Sequence, residues 1–381
     1  MLKNFLDTKP LYYDKIDYSR MPRVYESIKD KIQLPKIIHL IGTNGKGTTG
    51  RFLATALHSL GNKVGHYTSP HILHFNERIH LNGSDISDEL LNKSHLELLK
   101  LLSKEDADSL SYFEYTTLLA IYIYQDMDYV ILEAGLGGER DATAVFTKYL
   151  TLVTPIDIDH EAFLGSDISS IALTKMNAIQ NIAIMAQQKH TDIKIVADKL
   201  LCQKDIQILD VDSLISLEDK LKIEKISQEN NLAPYLQNNL TLAVSALNYM
   251  GLSYGVEDFK NSRLFGRLTQ YRENILLDVG HNVLAARSIY ESLNGSKYTL
   301  VYNSYKDKNY KEILEILRTI LNDIEIIELK DERVEELDVL KGIVEEMGFE
   351  FKIFSEIQKS KQYLVFGSFS VVEEFLKVGY E

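Results

Sequence analysis

Two hydrophobic patterns alternate along the chain. Short, nearly all-apolar runs end in glycine or in a single acid, and between them apolar residues recur every three or four positions. The first pattern suits strands buried on both faces. The second suits helices packed against them, so a mostly parallel α/β architecture is predicted. Ile37, Ile38, Leu40 and Ile41 mark the first strand. Glycines at 42, 45 and 47 follow, then a helix carrying Phe52, Leu53, Ala56, Leu57 and Leu60 that stops at Gly61. Val64 opens a second strand, Ser87 caps a helix with Asp88 and Glu89 in its first turn, and 113–122 is a buried helix. Strands are predicted at 128–133 and 150–156, then at 182–185, 193–196 and 206–209 with a short β excursion, before a helix at 234–247. Ahead of all these, Val24, Ile28 and Ile32 suggest a helical lead-in closed by Pro35.

A second alternation begins near residue 265. Strands are predicted at 274–278, 298–302, 324–329, 349–354 and 363–366, and helices at 309–321, 334–344 and 371–376. The chain therefore reads as two α/β domains, 1–264 and 265–381, the second smaller.

Strand, glycine turn and helix at 36–61 form the context of a phosphate-binding loop. Glycines let backbone N–H groups approach phosphate oxygens, and the helix start adds its positive dipole end. Lys46, exposed in that loop, would reach the β- and γ-phosphates. The spacing is Gly42-x2-Gly45-Lys46-Gly47-Thr48, two residues shorter than the common loop, and Gly47 stands where a magnesium-binding hydroxyl usually follows the lysine. A plain glycine turn with a solvated lysine is the alternative. Further on, apolar strands end in single acids, Glu133 before Gly135-Leu-Gly-Gly138 and Asp278 before Val-Gly-His281. Ligands of parallel sheets bind at such strand ends, and a carboxylate there suits a hard metal ion. Read plainly, these are loop and turn residues.

Composition narrows the classes. A net charge of −13 over 381 residues argues against a general affinity for nucleic acid or anionic membranes. The start, Met1–Leu6, is too short and polar for a signal peptide, and the best apolar run, 117–124, is far shorter than a membrane span. Cys202 is alone, so a disulfide framework is excluded, and the thiol is expected to be buried and inert. His71, His74 and His80 fit no common zinc spacing. The cytoplasm is the expected compartment.

The loop Gly42-Thr-Asn-Gly-Lys-Gly-Thr48 resembles the nucleotide loop of the Mur ligase superfamily, and its Lys-Gly-Thr variant resembles the folate branch, folylpolyglutamate synthase/dihydrofolate synthase. The likeness continues in order through Thr68-Ser-Pro-His71, Glu77-Arg78, Glu133-x-Gly-Leu-Gly-Gly138, Asp159-His160-x3-Leu-Gly165, Gly266-Arg267, Asp278-x2-His281-Asn282 and Phe366-Gly-Ser368. It implies a P-loop-type mostly parallel N-terminal domain and a smaller Rossmann-like C-terminal one. It implies ATP contacts from Gly42, Thr43, Asn44, Gly45, Lys46, Gly47, Thr48, Asn239, Arg267, Asp278 and His281. Magnesium, as two ions, would be held by Ser69, Glu133, His160 and Lys175, the last as a carbamoylated lysine. Lys46, Lys175 and His281 would carry the catalysis. Glu77 and Arg78 would line the pterin side, and Asp307, Lys308 and Ser368 the amino-acid site. The sequence departs from the pattern at Glu139-Arg140, where the arginine is displaced by one, and at Ala144, Leu236 and Phe265.

The implied activity is ATP-dependent ligation of L-glutamate to dihydropteroate or to folates through an acyl phosphate, by a monomer whose partners are small molecules. Two alternatives stand beside it: another Mur-type carboxylate–amine ligase, which 381 residues leave little room for, and an ATP-gated binding module without catalysis.

Overall fold

The computed structural model describes residues 1–10, 17–293 and 295–378. The chain forms two compact units. The first comprises Met1–Asn231 and Gln237–Ser262, and the second comprises Leu232–Leu236 and the chain from Arg263 onward.

The first unit is built on an eight-stranded sheet. Its strands are β1 (Lys36–Ile41), β2 (Val64–Tyr67), β3 (Ile79–Leu81), β4 (Ser84–Asp85), β5 (Tyr129–Glu133), β6 (Leu150–Val153), β7 (Ile182–Met185) and β8 (Gln207–Asp210). Their spatial order is β4-β3-β2-β5-β1-β6-β7-β8. From β2 to β8 all neighbours are parallel, and β3 and β4 add an antiparallel edge. Residues of β1, β5 and β6 are almost wholly buried, as a sheet covered on both faces requires. One face packs Ile37, Tyr67, Val130 and Leu132 with Leu98, Tyr115 and Leu118 from helices Asp88–Leu101 and Tyr112–Ile123. Farther along the same face, Ile41 and Val153 pack with Ile171, Met176, Ile193 and Val196 from helices Ile168–Met176 and Thr191–Gln203. Each fully buried side chain of this size contributes roughly 1.5–3 kcal/mol.

The consequence for the site lies in the strand order. β2, β5, β1 and β6 are consecutive, so the segments leaving their carboxyl ends sit side by side although they are far apart in sequence.

The second unit holds a six-stranded sheet of β9 (Thr269–Arg272), β10 (Ile275–Leu277), β11 (Tyr298–Tyr302), β12 (Leu321–Ile326), β13 (Phe351–Ile353) and β14 (Tyr363–Phe366), in the order β13-β12-β11-β14-β10-β9. It is parallel except for β9, which pairs antiparallel with β10. No helix among the described residues is long and apolar enough to cross a membrane.

Several local expectations are corrected. Residues 193–196 are helical, because Ile193, Val196, Ala197 and Leu200 are buried at helical spacing, a stripe that a four-residue window cannot separate from a strand. Cys202, on the same helix, is exposed rather than buried. The helix Leu217–Glu229 replaces the expected β excursion. Its exposed Leu217 and Leu221 mask the stripe of Ile223 and Ile226. The strand expected at 324–329 begins three residues earlier, at Leu321.

Candidate active site

The phosphate loop leaves β1 and enters the helix Lys46–Ser59. Gly42 has φ 136° and Gly45 has φ 90°, both in the left-handed region that favours glycine. A Cβ at Gly42 would collide with Thr154, and one at Gly45 with the Asn239 side chain, which places Asn239 against the loop. Thr43 N and Asn44 N donate to Pro155 O at 2.9 and 3.3 Å, tying the loop to the segment after β6. Lys46 is not exposed as expected: its side chain is 13% accessible, and Nζ donates to Gly42 O and Thr43 O at 3.1 and 3.2 Å. Gly47 and Thr48 are buried, and the hydroxyls of Thr48 and Thr49 meet no hydrogen-bond partner among the described residues.

Glu133 ends β5, opposite Leu40 of β1. Its Oε1 lies 3.9 Å from Lys46 Nζ. Its Oε2 accepts a short hydrogen bond from the Thr68 hydroxyl and another from Ser69 N at 3.2 Å. The register Tyr67–Leu132 explains this meeting, since the next residue of each strand, Thr68 and Glu133, must then face each other. Thr68 was not singled out from the sequence, although it stands in the same Thr-Ser-Pro run as Ser69.

Lys175 is 4% exposed on the helix Ile168–Met176, and its Nζ donates to Gly42 O at 3.1 Å. Lys46 and Lys175 thus converge on one carbonyl. Burial pushes the Lys175 ammonium down to about 7, and Lys46 adds to the shift while Asp159 and Asp141 oppose it. The glycine loop after Glu133 packs on the same helix: a Cβ at Gly138 would collide with the Lys175 backbone, and Glu139 N donates to Thr174 O at 3.0 Å. Asp141, also missed from the sequence, folds this loop by accepting from Gly135 N, Leu136 N, Thr143 N and the Thr143 hydroxyl at 2.6–3.0 Å.

His160 follows β6 in a left-handed backbone conformation, φ 54° and ψ 42°, and its Nε2 lies 3.9 Å from Asp159 Oδ2. Among the described residues no three His, Cys, Asp or Glu side chains form a group that could hold a metal ion. What the site offers is the Glu133 carboxylate, with Ser69 held against it by its backbone N–H, and at the helix start a Thr48 hydroxyl that meets no partner among the described residues. Such oxygen donors suit magnesium, which keeps waters and substrate phosphates as its other ligands.

Glu77, expected on the pterin side, is engaged by the backbone of its own loop. Its carboxylate accepts from Ile72 N, Leu73 N and His74 N at 2.7–2.8 Å and so shapes the loop after Pro70. Arg78 Nε donates to His71 Nδ1 at 2.8 Å, and its guanidinium stacks 5.3 Å from the Tyr112 ring and 5.9 Å from that of Phe75. Burial, reinforced by Arg78, lowers the His71 imidazolium to about 4. The unfolded chain therefore binds this proton between pH 6.5 and 4 while the folded chain does not. Stability is expected to fall with acidification through that window, and His71→Asn should flatten the fall. Equal slopes of unfolding free energy against pH in the two proteins would remove His71 as a cause.

In the second unit, Asp278 follows β10. Its Oδ2 accepts from the Tyr235 hydroxyl and from Leu268 N, both at 2.8 Å, and its Oδ1 accepts from Gly280 N at 2.7 Å. His281 Nδ1 lies 3.3 Å from Val279 O. Arg267 lies with its guanidinium 5.3 Å from the Phe369 ring. β10 and β14 are neighbours, and Gly367 N donates to Gly280 O at 3.1 Å, which brings the Asp278–Asn282 and Phe366–Ser368 loops together. Ser368 is 4% exposed and caps the last helix through Val371 N. Lys308 Nζ lies 3.3 Å from Asp307 Oδ2. Leu236 is buried.

No protein-family model matches the chain. Similar proteins are nonetheless found over nearly its whole length. The dihydrofolate synthase/folylpolyglutamate synthase of Haemophilus influenzae is 30% identical, covering 93% of this chain and 92% of its own. The crystal structure of Helicobacter pylori folylpolyglutamate synthetase is 37% identical, with a TM-score of 0.82 over 100% of this chain and 98% of that one. A bifunctional folylpolyglutamate synthase/dihydrofolate synthase from Yersinia pestis, complexed with AMPPNP and Mn ion, is 25% identical with a TM-score of 0.82, covering 100% and 97%. With a relative this similar end to end, and with strand ends that gather a lysine, a carboxylate and a glycine loop, the chain belongs to the dihydrofolate synthase/folylpolyglutamate synthase family.

Proposed function

We propose that this protein is the ligase its family name describes, joining L-glutamate to the carboxylate of dihydropteroate, of a folate, or of both, with ATP converted to ADP and phosphate. The observation that carries the reading is the convergence of Lys46 and Lys175 on the Gly42 carbonyl, with Glu133 3.9 Å from Lys46. A cation, a metal-binding carboxylate and a second buried lysine at the mouth of a phosphate loop answer the central difficulty of the reaction. An acyl carboxylate and a γ-phosphate repel each other, and their charges must be neutralised before they can meet.

The roles follow from position. The phosphate loop cradles the β- and γ-phosphates with the N–H groups at the start of the helix Lys46–Ser59, and Lys46 neutralises the transferred phosphoryl group. Ser69 and Glu133 would hold Mg²⁺, with His160 and Lys175 serving a second ion. The metal supplies charge neutralisation and an in-line arrangement of the phosphates when bound. Transfer of the γ-phosphoryl group to the acyl carboxylate gives a mixed anhydride. The glutamate amine then attacks its carbonyl carbon, and phosphate leaves with the C–O electron pair. In the second unit we assign Asp278 and His281 to the nucleoside and Arg267 to the phosphates. Asp307, Lys308 and Ser368 are assigned to glutamate. Arg78, rather than Glu77, is assigned to the acyl substrate, because the Glu77 carboxylate is filled by three backbone donors.

Carbamoylation of Lys175 is part of this proposal. A lysine lowered to about 7 is partly the free amine at neutral pH, and only the free amine adds to carbon dioxide. The ammonium loses one proton to become the amine and a second on addition of carbon dioxide, which turns a buried cation beside Lys46 into a carbamate anion, removes a like-charge contact and creates an oxygen ligand. The protein is taken to act as a monomer in the cytoplasm.

The test is magnesium- and glutamate-dependent phosphate release from ATP, with dihydropteroate and tetrahydrofolate offered separately. Release with either, dependent on glutamate, is the expected result, and release with both marks a bifunctional enzyme. ATP binding without release in either case would sink the ligase reading.

A further inference from the structure

The segment that leaves β6 supports the phosphate loop, and it is itself held from the side by the chain that leaves β7. Beyond β7, Ala186 N donates to Val153 O at 2.9 Å and extends the parallel ladder by one bond. Gln188 then reaches across. Its Oε1 accepts from Ile156 N at 2.9 Å, and its Nε2 donates to Thr154 O at 3.3 Å and to Ala186 O at 3.0 Å. Two residues later His190 Nε2 lies 3.0 Å from Asp157 Oδ1. Gln188 and His190 thus grip Thr154, Ile156 and Asp157, an irregular stretch that is tied to β1 only at its start, where Thr154 N donates to Ile41 O at 2.8 Å.

That stretch is what touches the nucleotide loop. Pro155, between the gripped residues, accepts from Thr43 N and Asn44 N. Asp157 closes a ring with Thr43: its N–H donates to Thr43 Oγ1 at 3.0 Å, and its carbonyl accepts from the Thr43 hydroxyl at 2.9 Å. His160 follows three residues later. Without Gln188 and His190 the backbone groups they satisfy beyond the end of β6 would need other partners, and the stretch would be freer to shift. An error of about 1 Å in such a support is enough to cost a reaction of this kind on the order of a hundredfold.

We propose that Gln188 and His190 are positioning residues of the ligase site, acting through Thr154–Asp157 on Thr43 and Asn44 of the phosphate loop. The inference rests on the ligase reading for its kinetic arm, and on nucleotide binding alone for its other arm. The variants are His190→Leu, His190→Gln and Gln188→Leu. Gln187→Ala serves as control, because the Gln187 amide bonds Asp212 instead. Each is measured for AMPPNP affinity by calorimetry with Mg²⁺ present, for KM of ATP and of glutamate, and for Tm. His190→Leu and Gln188→Leu should each weaken AMPPNP binding and raise the ATP KM about tenfold, with the glutamate KM unchanged. His190→Gln, whose Nε2 can donate from nearly the same place, should stay within about twofold of wild type, as should Gln187→Ala.

Unchanged AMPPNP affinity in both leucine variants, with or without a fall in Tm, would overturn the proposal. So would a His190→Gln variant as impaired as His190→Leu. If the wild type binds AMPPNP but releases no phosphate with any acyl substrate, the ligase reading fails, while the binding arm still decides whether the brace exists.

Discussion

Lys46→Ala is expected to lower turnover by about 10²–10³-fold, the usual effect of removing one preorganised group that stabilises developing charge. Folding should change little. The ammonium makes two hydrogen bonds to loop carbonyls of its own turn, and the apolar core does not depend on it. The loss should fall on kcat as much as on kcat/KM, because the proposed reaction gives the lysine to the phosphoryl group in flight. Near-normal turnover in a correctly folded Lys46→Ala protein would remove the phosphate-loop argument from which the site was built. Added Mg²⁺ should not rescue this variant, since the missing charge sits on the side chain.

Glu133→Gln should give a loss of similar size by a different route. The amide oxygen can still accept from Thr68 and Ser69, so the strand end keeps its shape, while the negative charge that would hold the metal is gone. The signature is a Mg²⁺ requirement shifted to higher concentration, with partial recovery of rate as Mg²⁺ is raised. Titrating both variants with Mg²⁺ separates the roles: a common response would mean that Lys46 and Glu133 act as one ion pair and that neither holds metal. Part of the Glu133→Gln effect will come from freeing Lys46 of its nearby carboxylate, so the double variant should be less impaired than the product of the singles.

The strand ends were the legible part of this protein. Ile37–Ile41, broken only by His39, and Tyr129–Leu132 are apolar and run into glycine loops, so Gly42 and Glu133 could each be placed at a strand's carboxyl end before any geometry was known. The pairing order was not legible. That β5 lies between β2 and β1 is what joins Thr68 to Glu133, and nothing local in either segment states it. Glu77 illustrates the same limit: a carboxylate beside an arginine reads as a polar pair, but the backbone of residues 72–74 turns back to fill it. Lys175 sits on a helix, where lysines are ordinarily solvated, and its burial depends on how Gly138 lets two chain segments touch. Residues 193–196 were misread as a strand because an apolar run that short carries no period of its own.

The backbone at His160 has a consequence for anyone who would make this protein more robust. A left-handed conformation at a residue with a Cβ costs on the order of 1 kcal/mol relative to glycine. Selection for heat resistance alone would therefore favour glycine or asparagine there, and design algorithms scored on fold energy would favour them too. Stabilised variants obtained by screening should accordingly be sequenced at position 160 before they are used as catalysts, since a glycine or asparagine there would remove the imidazole proposed to serve a metal ion.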